Sequence, residues 1–342
     1  MNATDGDTKT NILHKELQDY LDLNKSDFDE RVEKLKDFPK ALPVSDLLHL
    51  LKSMRRKILR HKIMMTKTSP CIDFNKEREI LRMSKYYHEI VESTNPLETM
   101  KDNLALMIIN TENLLLFGQN EHYQFFTLLF VEVLILTVIQ AKKLSIECRI
   151  DLCRICYNCI TNLQNNCFKK QRSSKKSANF VSFLDNNTYQ RMRNNLLCYA
   201  YAFKHYGREL STDALSSHPL ELTFGDIRRG SNGNDTSEMA IHSVAKSFIR
   251  DDLMNQFGKN VSPTRGRSYI AGSSYKDGWS INLPNDIDAC SIQDEIIQIA
   301  NGKLSFEQFK STNTWKLSIF LKDNADTIVP NLYGNNSRSK NH

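Results

Sequence analysis

The strongest constraint on this chain is residues 97–167, a block that carries almost nothing but helix-forming sequence. Segments 104–117, 122–143 and 146–168 read as three successive helices, with Gly118, Gln119 and Asn120 separating the first two. Within the second, residues 123–139 are apolar on every side. A helix with no polar face belongs in the middle of a bundle or in lipid. Glu132 falls at the centre of the run, where a bilayer makes a charge costly, and Gln124, Thr127 and Thr137 dilute it further. The sequence therefore predicts a wholly buried helix and no membrane span.

A chain of 342 residues with 40% hydrophobic content can surround such a helix with one large core or two ordinary ones. Residues 1–40 are polar and charged, with leucine periodicity that predicts one or two helices after a frayed start. No β-rich run ending in aspartate is recognisable before residue 40. The segment 76–91 reads as a helix, 181–184 as a short strand, and 191–206 as a helix closed by Gly207. Residues 292–301 predict a last helix, extending towards 306–310, and the C-terminal tail reads as disordered.

Eight cysteines, most of them inside predicted helices, point to reduced thiols in a cytosolic or nuclear protein, and the polar first twenty residues do not resemble a signal peptide. Cys153, Cys156 and Cys159 recur every third residue, which places them on one helix face. They read as small hydrophobes rather than as a zinc or iron–sulfur set, whose ligands sit at loop-like spacings. The net charge of +6 is compatible with a polyanionic partner without requiring one.

Two stretches carry candidate chemistry. In the first, an apolar segment runs into Asp46, and an amphipathic helix follows with Leu47, Leu51, Met54 and Ile58 on its buried stripe. Lys52, Arg55, Arg56 and Arg60 lie on or near its outer face. Asp46 can cap that helix, and a carboxylate where a strand meets a helix is equally able to hold a hard divalent cation. In the second, Pro219 opens a helix in which Leu220, Phe224 and Ile227 make one stripe. Glu221 lies in its first turn, by the positive end of the helix dipole. Arg228 and Arg229 follow, then a turn containing Asn232, Asn234 and Asp235.

Both stretches resemble transposases of the P element type. Asp46, His49, Lys52 and Arg55 meet that family's Asp-x-x-His-x-x-Lys-x-x-Arg pattern. Leu220, Glu221, Phe224, Ile227 and Arg228 meet its Leu-Glu-x-x-Phe-x-x-Ile-Arg pattern, before an Asn-rich loop. The resemblance covers residues 40–255. It implies a mainly α chain in which a partial RNase H-like α/β core is interrupted by a large all-helical insertion. The implied divisions are a charged helical segment at 1–40, a core segment with the second acid at 41–68, and the insertion at 69–210. Core helices with the last acid follow at 211–258, then a loop-rich region at 259–342.

The resemblance also implies Asp46 and Glu221 as catalytic acids holding Mg²⁺ for phosphodiester chemistry, DNA as partner, a nuclear location and homo-oligomer formation. Lys52, Arg55, Arg56, Arg228 and Arg229, with Lys169, Lys170, Arg172, Lys175 and Lys176 in a basic loop, are the expected DNA contacts. The family's first aspartate has no counterpart among residues 1–40, and His218 replaces an acid that the family carries before its glutamate. The expectation is an incomplete copy, inactive by itself. The competing expectation is an all-helical interaction module in which Asp46 and Glu221 are helix caps.

Overall fold

The computed structural model describes residues 2–4, 8–22, 27–84, 107–141, 143–167, 180–207 and 280–324. These are mainly helical. The N-terminal part holds α1 (Thr8–Asp22), α2 (Phe28–Lys34) with a short 3₁₀ turn after it (Leu35–Asp37), α3 (Leu47–Arg60) and α4 (Phe74–Leu81). The central helices are α5 (Thr111–Gln119), α6 (Tyr123–Gln140), α7 (Ile146–Asn166) and α8 (Asn186–Tyr206). Three more close the described chain: α9 (Ala289–Ala300), α10 (Phe306–Lys310) and α11 (Asn313–Asp323). The last of these was not expected from the sequence.

The apolar run behaves as its composition demands. In α6, residues 125–139 are all buried, and α5, α7 and α9 pack around it. Its two threonines turn their hydroxyls onto their own helix, Thr127 donating to Tyr123 O at 2.8 Å and Thr137 to Val133 O at 2.7 Å. Glu132 is 0% exposed, and neither carboxyl oxygen has a hydrogen-bond partner among the described residues. Burial pushes its pKa well above the usual carboxylate range. No helix among the described residues is long and apolar enough to cross a membrane.

The C-terminal end of α6 is closed by Arg149, a buried side chain of α7 whose two terminal nitrogens donate to Val138 O and Ala141 O. A cation there meets the negative end of the α6 dipole, and the Phe203 ring lies 5.5 Å from its guanidinium carbon. Helix α7 starts on Ser145, whose hydroxyl accepts from Cys148 N, and packs along α8, α9 and α6. Cys153, Cys156 and Cys159 are each 0% exposed. Burial raises all three thiols far above their ordinary pKa and pushes Cys148 up to about 12. They are protonated packing groups, as their one-sided spacing predicted.

The strands are short and edge the helices. β1 (Asn2–Thr4) pairs in parallel with β2 (Pro43–Ser45), matching Asn2 with Pro43, Ala3 with Val44 and Thr4 with Ser45. A second sheet has β3 (Lys62–Met64) at its centre, antiparallel to β4 (Cys71–Ile72) and parallel to β5 (Phe180–Ser182). β1 is a strand that the sequence did not announce: no β-rich run ending in aspartate was recognisable ahead of residue 40, and Asp5 lies outside the described residues. Three residues are too few to give an alternation pattern, and pairing alone defines them.

The C-terminal helices are tied to the rest through polar as well as apolar contacts. The Glu295 carboxylate of α9 sits at the start of α11. It accepts from Asn313 N at 3.0 Å, Thr314 N at 2.8 Å and the Thr314 hydroxyl at 2.8 Å. It thereby satisfies donors that the first turn of a helix leaves open. Thr68 donates to Asn301 Oδ1 at 2.7 Å, which joins the β3–β4 turn to the end of α9. One apolar cluster runs from Leu17 to Leu321, so the described parts of the N-terminal segment, the central helices and the C-terminal helices share a continuous interior.

Candidate functional site at the end of β2

Asp46 follows the last residue of β2 and precedes α3, and it is 4% exposed. Its carbonyl accepts from Leu50 N at 3.1 Å, so the residue stands at the mouth of the helix. The strand-to-helix junction expected from the sequence is present. Leu47, Leu51, Met54 and Ile58 are all buried, as the stripe predicted.

A buried polar cluster holds the strand end. From α8, Asn195 accepts from Ser45 N at 2.9 Å and donates to Ser45 O at 2.8 Å. A side-chain amide thus meets both backbone groups of one residue, as a neighbouring strand would. Asn195 also donates to the Tyr199 hydroxyl at 3.3 Å, one helical turn along. On the α1 side, His14 Nε2 shares a proton with the Ser45 hydroxyl at 2.9 Å. Asn194 donates to His14 O at 2.9 Å and lies 3.3 Å from its Nδ1. Cys198 directs its thiol to Pro43 O at 3.6 Å.

The electrostatics follow from this burial. His14 is 1% exposed, and desolvation, with the nearby Arg191 cation, lowers its pKa to about 3, so it stays neutral. With both ring nitrogens engaged, His14 is a structural partner rather than a free metal ligand. The Tyr199 hydroxyl is pushed well above the usual phenol pKa, first by burial and then by the negative charge of Asp46 close by. Asp46 is thus a buried acid close to Tyr199, and a carboxylate is a ligand type that suits a hard divalent cation. Among the described residues, no group of three or more His, Cys, Asp or Glu side chains could hold a metal ion.

The expected basic contacts divide along α3. Arg56 is exposed and Lys52 is partly exposed. Arg55 corrects the sequence reading: placed on the outer face by its position, it is 0% exposed, and burial lowers its pKa from the ordinary arginine value. Helix α3 has a wider buried surface than a four-residue stripe implies, because Leu50 and Arg55 are buried beside it. Glu221, Lys169, Lys170, Arg172, Lys175, Lys176, Arg228 and Arg229 lie outside the described residues.

The residues that sequence reasoning missed are those of the polar cluster at the end of β2. His14, Asn194, Asn195 and Tyr199 sit on helices far from it in the chain. The signal they leave is a pair of adjacent asparagines inside a helical segment, immediately before its apolar run Leu196–Phe203. Amides there are disfavoured unless each has a partner. The β1–β2 register adds a further point of sequence: the residue after Thr4 is Asp5 and the residue after Ser45 is Asp46. Asp5 lies outside the described residues. Comparison with known proteins gave no match to a family model, to a curated protein or to a solved structure.

Proposed function

We propose that this chain is a derivative of P element-type transposases, in which Asp46 and Glu221 are carboxylate ligands of Mg²⁺ in a partial RNase H-like core. The observation that carries the reading is the setting of Asp46: a buried carboxylate at the end of a strand in a parallel pair, at the mouth of an amphipathic helix. That setting matches the role which the Asp46, His49, Lys52 and Arg55 pattern assigns to it. Two metals bridged by carboxylates activate a nucleophile and steady a leaving oxygen in phosphodiester chemistry.

The acid set is incomplete, because the family's first aspartate has no recognised counterpart among residues 1–40, and the chain is inactive by itself. Arg56 and Lys52 on α3, with Lys169, Lys170, Arg172, Lys175, Lys176, Arg228 and Arg229, supply the DNA contacts, and the protein acts in the nucleus. Arg55 is not retained among these contacts because it is buried.

Titration of the purified full-length chain with Mn²⁺, a paramagnetic stand-in for Mg²⁺, tests the proposal. Asp46→Asn and Glu221→Gln are each expected to weaken binding at least tenfold while the circular dichroism stays that of the wild type. Wild-type affinity in Asp46→Asn and Glu221→Gln would return both residues to the role of helix caps, and the chain to that of an all-helical interaction module.

A further inference from the structure

We propose that the outer face of the β3–β4 hairpin, carrying Lys62, Lys67 and Lys76, is a contact surface for the phosphate backbone of duplex DNA. The inference deepens the reading of DNA as partner and rests on it. Its starting point is the distribution of charge. Residues 47–78, which run from α3 through β3 and β4 into α4, hold nine lysines and arginines against two acids, Asp73 and Glu77. That surplus exceeds the net charge of +6 of the whole chain, so all the other residues together are slightly negative. Positive charge concentrated in one short stretch is the electrostatic footprint of a polyanion contact rather than general solubilising charge.

The fold gathers part of this charge on one side of the hairpin. Ile63 and Ile72 pair across β3 and β4 and are each 1% exposed, so they mark the inner face. Side chains alternate between the faces of a strand, which puts Lys62 and Met64 on the outer face with Cys71. Lys62 pairs there with Asp73, the residue after β4, at 3.2 Å. Lys76, in the first turn of α4, is near enough for its charge to act on both Cys71 and Asp73. Two lysines thus share one carboxylate, which also caps α4 by accepting from Asn75 N at 3.1 Å.

Lys67 stands at the other end of the hairpin, in a turn held from several sides. Ser69 Oγ accepts from Met65 N and Thr66 N at 3.1 Å each, and Lys67 N donates to Asn166 O at 2.9 Å. Lys62, Lys67 and Lys76 are all exposed. Five residues span at most about 18 Å, so Lys62 and Lys67 fit along one side of a duplex, where each strand offers a phosphate about every 3.4 Å of axis. Lys57 of α3 gives the contrast. Its Nζ donates to Phe183 O at 3.3 Å and lies 3.7 Å from Asp185, so it is spent on the fold.

The test uses the full chain and a short fluorescent duplex of arbitrary sequence, with anisotropy read at several salt concentrations. The triple variant Lys62→Gln, Lys67→Gln and Lys76→Gln is expected to bind more weakly than wild type. Its logarithmic salt dependence should be shallower by about 0.9 for each phosphate no longer neutralised, up to about 2.7 for all three. A second triple variant, Lys15→Gln, Lys36→Gln and Lys322→Gln, removes the same charge from exposed sites elsewhere. It is expected to keep the wild-type slope. Should the first triple not fold, Lys67→Gln with Lys76→Gln leaves the Lys62–Asp73 pair in place, and a slope shallower by up to about 1.8 is expected.

A wild-type slope in the hairpin variant, or an equal loss in the second triple variant, would overturn the inference, the latter because net charge alone would then explain it. If the wild-type chain binds the duplex in the same series, only the role of the hairpin falls. If the wild-type chain binds no duplex at low salt, the reading of DNA as partner falls and this inference falls with it.

Discussion

At the scale of single residues, two buried ionisable groups pull stability in opposite directions as pH changes. Burial raises the pKa of Glu132, so its carboxyl is protonated in the folded chain at pH values where it would ionise in the unfolded one. Its contribution is fully present below the ordinary glutamate value near 4.5 and is lost as pH rises from there through the folded value. Glu132→Leu removes a carboxyl without partners among the described residues and is expected to stabilise the protein by about 1–3 kcal/mol at pH 4, and by more at pH 8. Urea unfolding at the two pH values measures this, and a less stable variant at pH 8 would refute it. His14 has the other sign. Its pKa falls from 6.5 to about 3, so its contribution is present above pH 6.5 and is lost as pH drops towards 3. His14→Gln is expected to flatten the acid limb of the stability curve. Over that window the wild type should lose up to about 1.4 kcal/mol per pH unit more than the variant, as read from unfolding midpoints across pH 3–7.

At the scale of elements, packing decides where helices stop. The Gly118, Gln119 and Asn120 sequence reads as a separator, yet α5 continues through Gly118 to Gln119. The glycine is there for closeness rather than for a turn. A methyl group at position 118 would lie 2.6 Å from a Trp315 ring carbon, 3.1 Å from Phe309 and 3.2 Å from Phe126. Those rings form one aromatic cluster between α6, α10 and α11, with the Phe309 and Trp315 centroids 5.0 Å apart. Alanine would add about 1 kcal/mol of helix propensity, while overpacking a filled core costs about 1–3 kcal/mol. Gly118→Ala is therefore expected to lower stability, and a thermal midpoint equal to or above that of wild type would show that the cluster yields. The same cluster explains why α11 is hard to recognise from its sequence. Its segment is short and mixed in character, and it is fixed by Trp315 in the core and by Glu295 at its first turn.

At the scale of the whole molecule, the net charge of +6 and the basic segments belong to the proposed encounter with DNA. Reversing Lys169, Lys170, Lys175 and Lys176 to glutamate is expected to weaken duplex binding irrespective of sequence. The logarithmic salt dependence should become shallower by about 0.9 for each phosphate that is no longer neutralised. Fluorescence anisotropy at several salt concentrations measures this, and an unchanged slope would remove that loop from the interface. Among the described residues, the parts of the chain expected as core and as insertion share one apolar cluster, with α8 packed on α7, β2, α1 and α2 together. Mutations on α8 are thus able to reach the Asp46 junction directly.

The sequence by itself determined the local features. The apolar run of α6 required burial because it offers no polar face, and the thiols of α7 fall on one side because their spacing matches the helical repeat. The hydrophobic stripe of α3 also follows from periodicity, as does the break at Gly207, which adopts a positive φ of 49°. Each of these depends on neighbours within a turn or two, which is the range over which a one-dimensional pattern carries information. Only the tertiary structure decided that three residues at the N-terminus form a strand, that Arg55 turns inward, and that α8 supplies the amide holding Ser45. These depend on pairing between segments remote in the chain, and nothing in the local sequence of either partner encodes which residue the other will bring.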